Sequence, residues 1–133
     1  MEEKREDYMS NEVRFYRCQN CGNLVYMIHQ GSGKLVCCGS QMVELEPRES
    51  GMAAEMHLPT IRHDKGRLYV SVNENGHPFT QEHYIEWIAL VSPARITIRH
   101  LKPEDQGSTL FTDVEHGTIY VYCTLHKLWK KTF

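Results

Sequence analysis

The chain has 133 residues, 41% of them apolar, and a formal charge of −2, enough for one ordinary domain or a small module beside a modest one. With near-neutral charge and no basic stripe, nucleic acid is not an expected partner. The longest apolar run, 87–91, is far short of the ~20 residues that cross a bilayer, so no membrane span is expected.

Residues 1–12 are charged and without pattern, and read as a frayed tail. They contain no hydrophobic segment of the kind that directs secretion, so a cytoplasmic protein is expected. Five cysteines, an odd number without a secretory signal, argue against a disulfide framework. They divide as four plus one.

Residues 13–46 read as a first unit. A short strand over 13–17 leads into the knuckle Cys18-Gln19-Asn20-Cys21-Gly22. A second strand over 24–28 is followed by a glycine-containing turn at 30–33, a return to Cys37-Cys38, and a last short strand over 42–45. A unit of this size cannot bury enough apolar surface to fold unaided, so a metal is the expected staple. Residues 46–52 read as a linker. Seven strand-like runs follow, at 57–62, 67–72, 83–91, 95–101, 108–114, 118–122 and 127–132, separated by Gly, Pro, Asn and Asp turns. Short strands at this spacing predict an antiparallel β-sandwich. No helical period stands out.

Two residues between Cys18 and Cys21 let both thiolates face one ion from a single turn, and Cys37-Cys38 complete a tetrahedron after the hairpin returns. Tetrahedral sulfur fits zinc or iron. The adjacent pair is unlike the two C-x-x-C knuckles of zinc ribbons and tilts the reading toward iron, with zinc left open. A reduced thiol cluster or a strained Cys37–Cys38 disulfide is the alternative.

The fifth cysteine ends the alternating run Thr118-Ile119-Tyr120-Val121-Tyr122, and His126 follows three residues later. In a straight strand those two side chains would face opposite sides, roughly 10 Å apart. They can share a metal only if the strand ends at Cys123 and turns. Three other histidines stand in suggestive contexts: His57 before Leu58-Pro59, His77 within Asn75-Gly76-His77-Pro78, and His83 at the start of His83-Tyr84-Ile85-Glu86-Trp87. Each read alone is an ordinary surface or core histidine. Together with an unpaired thiolate they make a donor set suited to iron. Four imidazoles and a thiolate fill five positions of an octahedron and leave a sixth open.

These motifs in this order resemble the desulfoferrodoxin family of two-iron superoxide reductases, over about 15–129. The match comprises Cys18-x-x-Cys21, Cys37-Cys38, Glu55-x-His57-x-Pro59, His77-Pro78, His83-Tyr84-Ile85-Glu86-Trp87 and Cys123-x-Leu125-His126-x-x-Trp129. The resemblance implies an all-β chain: a charged tail (1–12), a desulforedoxin-like domain (13–46) and an immunoglobulin-like β-sandwich domain (47–133). It implies a rubredoxin-type iron on Cys18, Cys21, Cys37 and Cys38. It also implies a catalytic iron held equatorially by His57, His77, His83 and His126, with Cys123 axial. The implied activity is one-electron reduction of superoxide to hydrogen peroxide, with rubredoxin or a similar small protein as electron donor and a homodimer as the common assembly. Glu55 matches the family glutamate that occupies the sixth position of the oxidised iron.

One departure stands beside the first histidine. The family has lysine there, to attract the anion and organise the water that protonates the peroxide; this chain has Met56. Methionine carries no charge and no strong hydrogen-bonding group, so anion capture is expected to suffer and ligation is not. Lys127, next to His126 where the family often has glycine, is expected to restore part of the positive field; the alternative is a solvated surface lysine. Two other functions remain open at this level: a non-catalytic iron protein for electron transfer or redox sensing, and a zinc-stapled interaction module.

Overall fold

The computed structural model describes residues 13–51, 54–72 and 79–133, the side chain of Glu55 excepted. It divides into two compact units, one ending at Glu46 and the other running from Pro47 to Phe133.

In the first unit, β1 (Arg14–Arg17) lies between β2 (Leu24–Met27) and β5 (Val43–Glu44), all antiparallel. A separate two-stranded ribbon joins β3 (Val36–Cys37) to β4 (Ser40–Gln41). Arg17 pairs with Leu24, so the knuckle is the β1–β2 connection. Backbone bonds from Gly22 N–H to Cys18 O (2.9 Å) and from Cys18 N–H to Asn23 O (2.8 Å) tighten it. Gly22 takes φ +84°, a left-handed conformation that glycine adopts without steric cost. The buried apolar side chains described in this unit are Val13, Phe15, Cys18 and Met42, too few for a self-sufficient core.

The second unit is an antiparallel β-sandwich. One sheet carries β6 (Thr60–Asp64), β7 (Arg67–Ser71) and β10 (Ser108–Thr112) in the order β10-β7-β6. The other carries β8 (Ile85–Ser92), β9 (Arg95–His100), β11 (Thr118–Cys123) and β12 (Lys127–Thr132) in the order β12-β11-β8-β9. First, second and fifth strands thus face third, sixth and seventh, the immunoglobulin-like partition, with the fourth strand on the second sheet. Leu68 and Val70 of one sheet and Ile88, Leu90, Ile119 and Val121 of the other fill the space between them, with Phe111 and Trp129. The alternation of β7 and β11 follows directly from the two-residue period of a strand. The β6–β7 turn is Lys65-Gly66, both with positive φ (+51° and +81°), as a type I′ hairpin needs.

Two segments differ from the sequence expectation. The strand expected over 57–62 starts at Thr60, because 54–57 form a helical turn, α1 (Ala54–His57). Ala54, Glu55 and Met56 suit a helix, Leu58 N–H closes the turn on Ala54 O at 2.8 Å, and Pro59 has no N–H to continue it. A single turn is too short for a helical period to register. The segment expected as a linker also pairs: Arg48 N–H donates to Leu128 O (3.1 Å) and Lys130 N–H to Arg48 O (3.0 Å), laying Arg48 along the edge of β12.

Candidate metal centres

The knuckle and the β3–β4 ribbon bring Cys18, Cys21, Cys37 and Cys38 together, with all four sulfurs within 4.8 Å of one another. The Cys21–Cys37 Sγ distance is 3.6 Å and the Cys37–Cys38 distance 4.0 Å. A tetrahedron with metal–sulfur bonds of about 2.3 Å has edges of about 3.8 Å, so the donor set fits a tetrahedral ion. All four cysteines are free, which removes the vicinal disulfide. Their protons are unevenly held. The backbone N–H of Cys21, 3.4 Å from Cys18 Sγ, stabilises that thiolate and, with lesser bonds, lowers it to about 6. Cys37 is raised, chiefly by its contact with Cys18, and Cys38 is raised to about 12, first by Cys21 and then by Cys18. One cluster thus holds a ready thiolate beside thiols that ionise only when a cation joins them.

The second cluster forms at one end of the sandwich. Ligand atoms of His57, His83, Cys123 and His126 lie within 4.8 Å of one another. Each comes from a different kind of local structure. His57 ends α1 and is buried. His83 sits just before β8, in a turn closed by Thr80 N–H to His83 O (3.0 Å) and His83 N–H to Thr80 O (3.2 Å). Cys123 is the last residue of β11 and fully buried, and His126 lies in the hairpin that returns to β12. The strand does end at Cys123 and turn, as a shared metal requires.

A bulge sets the direction of this strand end. Tyr122 pairs with Trp87 but Cys123 pairs with Ile85, so Glu86 is an extra residue in β8. The insertion rephases β8, and Ile85 faces the core opposite Cys123 instead of the other side of the sheet. Lys127, which closes the hairpin opposite Cys123, takes φ +65°, a left-handed conformation unusual for lysine.

His126 Nδ1 stands 3.0 Å from His57 Nε2 and 3.7 Å from Cys123 Sγ. Two nitrogens about 2.1 Å from one ion and at right angles to each other are about 3.0 Å apart, so this donor set also fits a metal. Trp129 braces the His57 ring and the His126 backbone. Its ring stacks on His57 (centroids 4.8 Å apart, 6° between planes), and its Nε1–H donates to His126 O at 3.1 Å. The Arg48 guanidinium lies 4.2 Å from the Trp129 ring centroid. Burial pushes the Cys123 thiol up, against the backbone N–H groups of His126 and Leu125 and the charge of Lys127, which favour the thiolate. Lys127 Nζ donates to Thr124 O at 3.2 Å.

Of the remaining residues singled out in the sequence, His77 and the side chain of Glu55 lie outside the described ones. Met56 is exposed. Sequence reasoning passed over Thr124, Arg48 and the bulge at Glu86. A hydroxyl one residue past a strand end was the available hint for Thr124. The other two are products of pairing between distant segments.

Two family models match the chain: desulfoferrodoxin, N-terminal domain, over 10–45, and desulfoferrodoxin over 49–132. A desulfoferrodoxin from Clostridium acetobutylicum is 39% identical over 92% of this chain and 98% of its own length. A desulfoferrodoxin homolog from Archaeoglobus fulgidus is 35% identical over the same shares. Among solved structures, the superoxide reductase from Treponema pallidum superposes with a TM-score of 0.74 over 90% of this chain and 98% of its own, at 20% identity, a likeness of fold. With both metal clusters on their matching scaffolds, the chain belongs to the desulfoferrodoxin family.

Proposed function

We propose that this protein is a superoxide reductase. The observation that carries the reading is the convergence of three imidazoles and one thiolate, from His57, His83, His126 and Cys123, at the end of a β-sandwich. His57, His83, His126 and Cys123 would hold an iron that, when bound, would supply the one electron which, with two protons, turns superoxide into hydrogen peroxide. The chain's own part is to hold the donors. Buried Cys123 and His57 anchor the interior side, while half-buried His83 and His126 leave the cluster in reach of solvent and of a small anion. Zinc, with no redox chemistry, could not supply that electron.

His77 is proposed as the fourth imidazole and Glu55 as the carboxylate that approaches the oxidised metal, both on sequence match to the family. Lys127 is proposed as a positive group for anion capture. Its support is its place beside His126 and its charge, which favours the Cys123 thiolate. The two units are proposed as two functional domains behind a tail of 1–12, the first holding a rubredoxin-type iron or zinc. The free thiols suit a reducing compartment, which favours the cytoplasm. A rubredoxin-like donor and a homodimer complete the reading. Exposed Ile28 and Val36 of the first unit are apolar surface that a second copy would cover, and sedimentation velocity of the iron-loaded protein decides between one copy and two.

The central test is pulse radiolysis of the reduced, iron-loaded protein with superoxide. One peroxide per superoxide without dioxygen is expected. Dioxygen release would mean dismutation, and no reaction would leave an electron-transfer or sensing protein. A colourless protein after iron loading would leave the zinc-stapled module.

A further inference from the structure

We propose that Thr124 is a positioning residue of the histidine–cysteine centre, locking the turn that carries His83 onto the hairpin that carries Cys123 and His126. The inference rests on the reading of that cluster as a metal centre. His83 lies in the 79–84 segment, outside any strand. The reciprocal Thr80–His83 bonds shape its turn from within.

Thr124 makes the attachment with three bonds. Its N–H donates to Tyr84 O (3.0 Å), its Oγ1 accepts from Tyr84 N–H (3.1 Å), and its hydroxyl donates to Glu82 O (3.2 Å). The partners flank His83 on both sides. A hydroxyl has one proton to give and lone pairs to receive, and both capacities are used here. No aliphatic side chain can replace it, whereas serine keeps the same groups. Thr124 also directly follows Cys123 and accepts Lys127 Nζ on its carbonyl. One residue therefore sets the spacing between a thiolate on one segment and an imidazole on another, forty residues away in sequence. Ligand positions must hold to about 0.5 Å for a metal site to keep its geometry, and loss of such outer support typically weakens metal binding about 10- to 100-fold.

The test compares wild type, Thr124→Val and Thr124→Ser as full-length chains loaded with Co²⁺, whose thiolate bands report each centre separately. Chelator competition is expected to show cobalt binding about 10- to 100-fold weaker at the histidine–cysteine centre of Thr124→Val. The four-cysteine centre, an internal reference, should be unchanged. Amide exchange at Tyr84 should accelerate in Thr124→Val while the β8 and β11 amides stay protected, and Thr124→Ser should restore both readouts. Wild-type affinity together with a protected Tyr84 amide in Thr124→Val would overturn the proposal, as would general loss of protection across β8 and β11. If the wild-type chain takes up no cobalt at that centre, the metal reading falls first. Tyr84 exchange then decides separately whether Thr124 holds the turn.

Discussion

Lys127 illustrates how much one side chain can be asked to do. It sits at φ +65°, where a residue with a Cβ is strained by roughly 1–2 kcal/mol, yet it returns a bond to Thr124 O and a charge beside Cys123. Lys127→Gly and Lys127→Ala separate these roles. Both remove the charge and the bond, but only glycine removes the strain, so chemical denaturation is expected to find the glycine variant more stable by about 1 kcal/mol. If the charge aids capture, both variants lose up to about tenfold in the second-order rate with superoxide at low salt, and the loss shrinks as salt rises. Unchanged rates in both would assign Lys127 to the turn alone. Met56→Lys adds a cation next to the ligand His57 and is expected to speed capture or peroxide release. No change in either step would show that the chain has fully replaced the family lysine.

At the scale of elements, the centre depends on how tightly the 79–84 segment packs against its neighbours. Gly107 lies under it. A Cβ there would stand 3.1 Å from the Phe79 ring and 3.4 Å from Ile85, at a φ of +72° that already favours glycine. Phe79 in turn contacts the His83 ring, with centroids 6.0 Å apart. Gly107→Ala is therefore expected to cost about 1–3 kcal/mol and to push Phe79 toward His83. Thermal unfolding reads the first effect. The cobalt spectrum of the histidine–cysteine centre reads the second, with the four-cysteine bands unmoved. A fully native spectrum would show that the turn yields elsewhere.

Across the whole molecule, the two units rest on different sources of stability. The sandwich has a continuous core, whereas the described part of the small unit buries four apolar side chains and relies on its metal. Stripping metal from the full-length chain is expected to abolish amide protection in β1, β2 and β5 while β8 and β11 stay protected. Surviving protection in the small unit would refute the staple. Proton linkage supplies a second check. At pH 7 Cys18, near 6, is already a thiolate, while Cys37 and Cys38 hold their protons. Metal uptake must release at least those two, so affinity falls at least about 100-fold for each pH unit lost. Below about 6 Cys18 is protonated too, one more proton must leave, and the fall steepens by about a further tenfold per unit. Calorimetry in two buffers of different ionisation enthalpy counts the protons.

The sequence by itself determined what depends on short spacing and on alternation. Cys18-x-x-Cys21, the adjacent Cys37-Cys38, the apolar period of β7 and β11, and the need for a turn after Cys123 were all legible because each is a local constraint. His57 in a helical turn was not, since one turn has no period and Pro59 alone marks its end. Nor was the β8 bulge that brings Ile85 opposite Cys123, because register is a property of two strands and not of one. The same holds for Trp129 stacked on His57 and for Thr124 bonded on both sides of His83. Those contacts join residues 40 to 72 positions apart, and only the packed sandwich could decide them, because their hydrogen-bonding groups and ring faces meet only after the chain has closed.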